Sequence, residues 1–352
     1  MKRILIYFFV LSLCSCSSDP VQAQQPEEEI PEGTPDENPT LSGQSVGFAT
    51  MGTTPTGGEG GQSITVSNAT ELANALQKPE KLIIYIKGTI HVANVISVKA
   101  TNKTLLGLSG SMLTNPNRTK DTSGILYFKS GSDNLILRNL TFKSAGAYDT
   151  DGRDNLCIDG TTNIWIDHCD FQDGVDGNFD CKNASDHIAV TWCRFRYLIE
   201  PMAGGSGGSN DHRFSNLWGN SDSHTQDRGH LNTTFQYCWW DEGCRDRMPR
   251  VRFGKVHIVN CLYSSTVASG CIGVGYEADV YVEKSIFTGI KKPHKVYDES
   301  GQIRFDGCKF QNSTVDVGTE SSFTPPYSLE TISVEEVEKA VKANSGATLD
   351  ID

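Results

Sequence analysis

The sequence predicts an all-β fold, a right-handed parallel β-helix with a short capping helix, and a repeat is the first reason. Short β-rich segments that end in an aromatic residue recur, and most of them follow one another at a nearly constant step along the chain. The ends are Phe142, Phe171, Phe195, Trp240, Tyr263, Phe287 and Phe310. Coils of a parallel β-helix stack about 4.8 Å apart, so the same inward position meets itself in every coil.

The second reason is a column of small residues two positions before those ends. Its members are Leu140, Cys169, Cys193, Cys238, Cys261, Ser285 and Cys308. Cys157 and Cys181, which are separated by about one coil, predict a second column. Cysteine is compact and often buried, and stacked in-register neighbours seldom have disulfide geometry. We therefore predict free, buried thiols, with disulfide pairing as the alternative in an exported protein.

Three further segments complete the predicted architecture. The unusually long interval from Phe195 to Trp240 contains the glycine-rich string 204–209 and predicts a coil with a long loop, a kind of segment that is often functional. Asn68 and Glu71 have the spacing of a capping box and predict a short helix that covers the open end of the first coil. Residues 333–343 predict a surface helix near the C-terminus.

The first residues predict processing rather than fold. A charged head precedes an apolar run too short to span a bilayer, so residues 1–15 are a predicted lipoprotein signal peptide and Cys16 its lipidated residue. Residues 16–42, rich in proline and glutamate, predict a disordered acidic tether before the β-helix domain at 43–352. We expect an exported outer-membrane lipoprotein that touches the membrane through its lipid anchor alone. An ordinary signal peptide is the alternative.

The charge of the chain limits its partners. The formal net charge is −12, with 43 acidic and 31 basic residues. Such an acidic chain is a poor nucleic-acid binder, so we expect no nucleic-acid partner. It would also repel a polyanionic substrate unless a metal ion or a basic patch reverses the field locally.

A cluster of aspartates is the first candidate for chemistry. Its members are Asp149, Asp151, Asp154, Asp176 and Asp180. About one coil separates Asp154 from Asp180, so the carboxylates can converge on one face. Several carboxylates with few bases between them are suited to Ca²⁺. A solvated run of turn aspartates would explain the same composition.

A basic patch is the second candidate. Five cations follow one another closely: Arg245, Arg247, Arg250, Arg252 and Lys255. In a strand Arg250 and Arg252 share a face, so the patch can present several guanidinium groups to carboxylates. We interpret it as an anion-binding surface, although an ordinary charged strand is possible.

The pair Asp167 and His168 could be half of a hydrolytic dyad or a structural pair that links neighbouring coils. The repeat places no nucleophile beside it, and a buried histidine usually has a structural partner. We therefore predict a structural pair.

Over about residues 46–330 the chain resembles the pectate lyases of polysaccharide lyase family 1. The resemblance covers GFATMGTTPTGGEGG at 47–61, NLILRNLTF, NIWIDHCDF, DGNFDCKNASDHIAVTW at 176–192 and RMPRVRFGKVHIVN at 247–260. The family's Arg-x-Pro-x-x-Arg pattern is met by Arg247, Pro249 and Arg252. The resemblance implies that Arg247 is the base and that Arg252 binds a substrate carboxylate.

The resemblance also implies a calcium site. The family's calcium carboxylates fall on Asp154, Asp176 and Asp180. Its fourth ligand falls on Gly152, which has no side chain, so the adjacent Asp151 is the expected substitute.

One departure concerns substrate binding. A substrate-binding lysine of the family aligns to Glu200: either a nearby base such as Arg213 replaces it, or the register shifts in this loop, or substrate binding differs. Arg250 completes the expected set of substrate-binding arginines.

The resemblance implies calcium-dependent β-elimination of α-1,4-polygalacturonate, which would leave 4,5-unsaturated oligogalacturonates. We expect a monomer, and activity that rises into the alkaline range because arginine has a reference pKa of about 12.5–13.8. The alternatives are a non-catalytic glycan-binding protein, a polygalacturonase on a similar β-helix, and a pectin lyase.

Overall fold

Three parallel sheets form the folded part of the chain. The computed structural model describes residues 44–319 and 323–352. Each coil contributes one strand to each sheet, so strands adjacent in a sheet are about one coil apart in sequence. The predicted parallel β-helix is confirmed.

The described residues contain 27 strands. In chain order they are β1 (Gln62–Val66), β2 (Leu82–Ile86), β3 (Thr89–His91), β4 (Ile96–Val98), β5 (Thr101–Gly107), β6 (Met112–Thr114), β7 (Leu126–Phe128), β8 (Asp133–Arg138), β9 (Thr141–Lys143), β10 (Leu156–Asp159), β11 (Thr162–Asp167), β12 (Asp170–Gln172), β13 (Phe179–Lys182), β14 (Asp186–Thr191), β15 (Arg194–Arg196), β16 (Asn216–Trp218), β17 (Thr233–Gln236), β18 (Trp239–Trp240), β19 (Arg250–Val251), β20 (Lys255–Val259), β21 (Leu262–Tyr263), β22 (Ile272–Val274), β23 (Asp279–Glu283), β24 (Ile286–Thr288), β25 (His294–Val296), β26 (Gln302–Asp306) and β27 (Lys309–Gln311).

The strands divide among the sheets in a regular order. Sheet A is β1-β2-β5-β8-β11-β14-β17-β20-β23-β26, sheet B is β3-β6-β9-β12-β15-β18-β21-β24-β27, and sheet C is β4-β7-β10-β13-β16-β19-β22-β25. A coil therefore passes from sheet C to sheet A and then to sheet B before the next coil begins.

The predicted aromatic column is a continuous stack inside the helix. Phe142 and Phe171 have ring centroids 4.8 Å apart, and Phe171 and Phe195 5.2 Å apart. Trp240 continues the stack at 5.5 Å from Phe195 and 4.7 Å from Tyr263. These rings are fully buried, so the column fills the core along sheet B.

The predicted cysteine column is also confirmed. The register of sheet B places Cys169 beside Cys193, and Cys238 beside Cys261. The backbone N–H of Cys238 donates to the Sγ of Cys261 at 3.3 Å. All nine cysteines of the described residues are free, and eight of them are buried.

The second cysteine column was predicted wrongly. Cys157 pairs in register with Asp180, and Cys181 pairs with Ile158. The residue that stacks on Cys157 in the next coil is therefore Asp180, and Cys181 lies one position further along that strand. Because side chains alternate across a strand, Cys181 faces the core and Cys157 faces outward.

Two α-helices lie outside the coils, as predicted. Helix α1 (Ala69–Gln77) begins at Asn68, whose side chain accepts a hydrogen bond from the N–H of Glu71, and it packs against β2 and β4. Helix α2 (Val334–Asn344) has a complete capping box from Ser333 and Glu336. It packs on the outer side of sheet B through Val337 and Val341.

The long interval between Phe195 and Trp240 contains one coil, as predicted, but with two long loops rather than one. The first loop, 197–215, joins β15 to β16, and the second, 219–232, joins β16 to β17. The glycine-rich string 204–209 lies in the first loop. Both loops adjoin sheet C, because β16 lies between them.

Asp167 and His168 form the predicted structural pair. Asp167 accepts a hydrogen bond from Thr191 of the next coil at 2.6 Å and forms an ion pair with Arg138 of the preceding coil. His168 Nδ1 lies 2.8 Å from Asp167. The group thus links three coils.

The predictions for residues 1–42, including lipidation at Cys16, lie outside the described residues. Of the helices in the described part of the chain, none has the length and apolar character needed to cross a membrane.

The aromatic stack yields the first testable prediction. Phe195→Ala should lower the free energy of unfolding by about 3–5 kcal/mol, because it leaves a cavity between two stacked rings. Phe310→Ala, at the partly exposed end of the same stack, should cost clearly less. Denaturant midpoints of the two variants measure the difference, and equal losses would contradict the proposed role of the stack.

Candidate active site

The candidate residues gather at one edge of sheet C. Asp154, Asp176 and Arg247 come from the turns that lead into β10, β13 and β19, while Asp180 lies within β13. Parallel strands begin at the same edge of a sheet, so residues that precede them along the chain become neighbours in space. The stacking of coils thus brings together groups that are far apart in sequence.

Asp154 and Asp180 form a buried pair of carboxylates. Both flank Gly177, where an added Cβ would lie 2.8 Å from Asp154 Oδ1 and 3.3 Å from Asp180 Oδ1. Asp180 Oδ1 accepts a hydrogen bond from the N–H of Leu217 at 3.0 Å. Asp154 Oδ1 has no hydrogen-bond partner among the described residues. A buried oxygen of this kind is costly unless a cation or a proton satisfies it.

Burial and mutual repulsion shift both carboxylates. Burial, followed by the charges of Asp180 and Asp176, raises the pKa of Asp154 well above its usual value. Burial, followed by the charge of Asp176, raises the pKa of Asp180 to about 7. The pair therefore resists ionisation until positive charge is supplied, which is typical of a group that binds a cation.

Asp176 is linked to the first loop by a histidine. His212 is buried, with Nε2 3.2 Å from Asp176 Oδ1 and Nδ1 3.4 Å from Asp149 Oδ1. Within the described ranges this trio is the one group of three His, Cys, Asp or Glu side chains whose ligand atoms all lie within 4.8 Å. The Oδ2 of Asp149 also accepts from the N–H of Ser209 at 2.7 Å. The Ser209 hydrogen bond thus holds the first loop against Asp149, while both ring nitrogens of His212 are buried without a hydrogen-bond partner among the described residues.

Lys182 places a positive charge near Asp154 and Asp180. It lies on the outer face of β13, two positions after Asp180. Burial alone would lower the pKa of Lys182, but Cys157, Asp154 and other acidic neighbours raise it overall. One ammonium group therefore offsets part of the charge of the carboxylates.

Arg247 lies in a later coil and lines a cavity at this edge of sheet C. The cavity has a volume of about 640 Å³ and is lined by Arg247, Asp149, Asp176 and His212 among others. The guanidinium carbon of Arg247 lies 4.8 Å from the ring centroid of Phe214. The charge of Arg247 also opposes the rise in the pKa of Asp180. Of the predicted calcium carboxylates, Asp151 and Asp176 line this cavity with Arg247, while Asp154 and Asp180 are buried and are not part of its lining.

The backbone of Arg247 is held by Asp246. Arg247 has a φ of 56°, an uncommon value for a residue other than glycine. Its N–H donates to Asp246 Oδ1 at 2.7 Å. The other oxygen of Asp246 forms an ion pair with Lys295 and accepts from Ser269 at 3.1 Å. A fully engaged, buried carboxylate therefore fixes the position of the arginine.

Arg250 and Arg252 have different surroundings. The Nε of Arg250 is buried without a hydrogen-bond partner among the described residues, and its guanidinium lies 3.9 Å from the ring centroid of Tyr297. Burial, followed by the charge of Arg252, lowers the pKa of Arg250. Arg252 donates from Nε to Asp222 at 2.6 Å and from Nη1 to the Gly219 carbonyl at 2.9 Å.

The remaining predicted residues, Asp151 and Arg213, are paired with other side chains. Asp151 faces solvent and pairs with Lys120. Arg213 donates two hydrogen bonds to Asp211, at 2.7 and 2.6 Å, so its guanidinium is already engaged. Glu200 is exposed and contributes to a raised pKa of Arg213. The roles of Asp151 and Arg213 stay predictions.

Sequence reasoning missed three residues of the site. Lys182 could have been found, because strand alternation puts it on the same face as Asp180. His212 and Asp246 stand in irregular segments, where no periodic pattern shows which way a side chain points.

Fold and site together define a class: β-helical enzymes that act on acidic polysaccharides. The sequence profile described as pectate lyase matches residues 35–349. The chain therefore belongs to the pectate lyase family, and it is a polysaccharide lyase. This membership favours a lyase over the polygalacturonase and the non-catalytic binding protein.

Two relatives show the extent of the match. The chain is 30% identical to the pectate trisaccharide-lyase of Bacillus licheniformis over 363 residues, with 98% of each protein covered. It is 29% identical to the probable pectate lyase B of Aspergillus flavus over 321 residues, covering 87% of this chain and 90% of that protein.

Two solved structures share the fold. A pectate lyase bound to a hexasaccharide has a TM-score of 0.67 and 22% identity, covering 88% of this chain and 98% of the other. The major allergen from cedar pollen has a TM-score of 0.70 and 20% identity, covering 87% and 93%. At these identities the likeness shows the fold alone.

The raised pKa of Asp180 yields a prediction about stability. In the folded protein the carboxyl group of Asp180 keeps its proton up to about pH 7, whereas in the unfolded chain it releases the proton near pH 3.8. Because the folded state binds more protons, the free energy of unfolding of the metal-free protein should fall as the pH rises from about 4 to 7. In chelator at pH 8 the melting temperature of Asp180→Asn should therefore exceed that of the unsubstituted protein. The expected increase is about 2–4 °C for each kcal/mol of stability gained by removing the buried carboxyl group. In calcium the order should reverse, because the variant lacks a ligand.

Thermal melts with and without calcium check this expectation. Asp121→Asn is the comparison, since Asp121 is exposed and lies outside the predicted set of calcium ligands. A calcium-induced rise in melting temperature that is unchanged in Asp180→Asn would exclude Asp180 as a ligand.

The Asp246 contacts yield a prediction about positioning. Asp246→Ala should lower kcat by roughly 10- to 100-fold with a smaller change in KM, because a misplaced arginine loses its reactive geometry. Asp246→Asn should retain more activity, since its amide oxygen can still accept from Arg247. Ser269→Ala, which removes one weaker contact, is the matched control. Equal activity of the alanine and asparagine variants would argue against this role.

Proposed function

We propose that this chain is a calcium-dependent pectate lyase that cleaves polygalacturonate by β-elimination and leaves 4,5-unsaturated ends. The observation that carries the proposal is the cavity that Arg247 shares with Asp149, Asp176 and His212, next to the buried pair Asp154 and Asp180, whose charges respond to Asp176 and Arg247. The names of the relatives, which include pectate lyases and pectate trisaccharide-lyases, support the same substrate.

Calcium would need the oxygens of Asp154, Asp176 and Asp180 to converge, whereas the trio of ligand side chains that already lie within 4.8 Å of one another in the described residues is Asp149, Asp176 and His212. Asp154, Asp176 and Asp180 offer only carboxylate oxygens, which hard divalent cations prefer. The unpartnered Oδ1 of Asp154 and the raised pKa values of the pair indicate a site that requires positive charge. When bound, Ca²⁺ would neutralise the substrate carboxylate and make the adjacent proton more acidic.

The chain's own residues account for the remaining requirements of the reaction. Arg247 in its neutral form would take the proton from carbon five of a galacturonate unit. The freed electron pair would form the double bond between carbons four and five as the bond from carbon four to the glycosidic oxygen breaks, and the leaving oxygen would take a proton from solvent. Arg250, with one donor buried and unpaired within the described part of the chain, and Arg252, held by Asp222 and Gly219, would supply positive charge for uronate carboxylates of the substrate.

The cellular setting of this activity is part of the proposal. A lipid on Cys16 and the tether 16–42 would hold a monomeric enzyme at the outer membrane, where it meets extracellular polymer. The observation in favour is the sequence of the first 42 positions.

Ultraviolet absorbance of unsaturated products tests the function. The full chain should generate this absorbance from polygalacturonate in calcium, lose it in chelator, and act faster as the pH rises into the alkaline range. Arg247→Ala should reduce the rate by about 10²–10⁴-fold, the usual contribution of a proton-transfer group.

Arg245→Ala is the matched control, because Arg245 is a nearby arginine that pairs with Asp211 at the rim. Chelator-resistant activity that releases saturated ends would contradict the proposal. So would a rate for Arg247→Ala equal to that of the control.

A further inference from the structure

A second groove lies beside the catalytic cavity. It has a volume of about 1170 Å³ and runs along the outer face of the first strands of sheet B. His91, Thr114 and Lys143 stand in one row there, because β3, β6 and β9 pair in that register. A site of this size exceeds the space that a single sugar unit needs.

The groove is continuous with the catalytic cavity. Lys120, Thr150 and Ser206 line both spaces. The two spaces therefore adjoin at these three residues, between the edge of sheet C and the outer face of sheet B.

The charge of the groove is opposite to that of the protein. Arg118, Lys120 and Lys143 line it, and the described residues of its lining include no aspartate or glutamate. The whole chain has a net charge of −12, so three cations without a neighbouring acid in the lining are a local reversal. Lys143 forms no ion pair with any described residue, whereas Lys120 pairs with Asp151.

The remaining lining suits sugar rings. Tyr148 and the thioethers of Met112 and Met202 supply apolar surface, and Met202 is 44% exposed. Arg118 is fixed in place, since its Nε donates to the Ala145 carbonyl at 2.8 Å. A chain of rings that carry carboxylates would find both apolar faces and cations along this wall.

We propose that this groove binds further uronate units of the same polymer, beyond those in the catalytic cavity, and so favours long chains over short ones. The inference rests on the proposed function for the identity of the polymer. The occupant is an acidic glycan segment rather than a neutral one, because the described lining offers cations and no carboxylate. Lys143 should contribute most to the preference for an acidic glycan, because it has no ion-pair partner among the described residues.

The test measures cleavage and binding separately in the full chain. For cleavage, kcat/KM on polygalacturonate is divided by kcat/KM on trigalacturonate. Lys143→Ala should lower this ratio about two- to fivefold, the range of a single partly exposed ion pair, and Lys143→Glu should lower it further. Lys129→Ala, which removes an exposed lysine of the same coil outside the groove, should leave the ratio unchanged.

Binding is measured on the Arg247→Ala background, so it does not depend on turnover. There Lys143→Ala should weaken the affinity for long oligogalacturonates by a similar factor at low salt and leave the affinity for trigalacturonate unchanged. A ratio and an affinity that do not change in either Lys143 variant would overturn the inference, as would an equal effect of Lys129→Ala. If the original protein forms no unsaturated product, the proposed function fails, while the binding arm still decides whether the groove takes an acidic glycan.

Discussion

The register between stacked coils is the constraint on which the rest of this structure depends. Every inward position meets its counterpart in the next coil, so Phe171, Phe195 and Trp240 form one stack and the cysteines form another. The same register acts on the outer face, where it places Asp180 beside Cys157 and Leu217 of adjacent coils. Core and site are two sides of a single hydrogen-bonded arrangement, so the site is held in place although the described cysteines are all free.

Stacking has an electrostatic consequence at the edge of sheet C. It forces Asp154 and Asp180 into a buried environment where neither ionises readily, as their raised pKa values indicate. Lys182 offsets part of that charge, and Arg247 opposes it from a later coil. The metal-free site is therefore a local cost to stability, and residues retained at such a cost are typical of functional sites.

Periodicity explains how much could be predicted from sequence. The aromatic column and the first cysteine column follow from a regular coil step, and helix α1 follows from its capping residues. The prediction fails at Cys157, where the coil is one position shorter than the interval to Cys181 and the face of the side chain is reversed. His212 and Asp246 lie in turns, where side-chain direction depends on contacts between distant coils. Such contacts leave no periodic signal.

The distribution of charge along the cavity and the groove explains how an acidic protein can act on an acidic polymer. The position that bears a lysine in the resemblance is Glu200 here, and Arg213 is engaged with Asp211. Positive charge lies instead on Arg247 and Arg250 at sheet C, and on Lys143 in the groove along sheet B. Binding energy for the polymer would then come from groups remote from the reacting bond. Such remote interactions can hold a substrate in reactive geometry even where a contact close to the bond is missing.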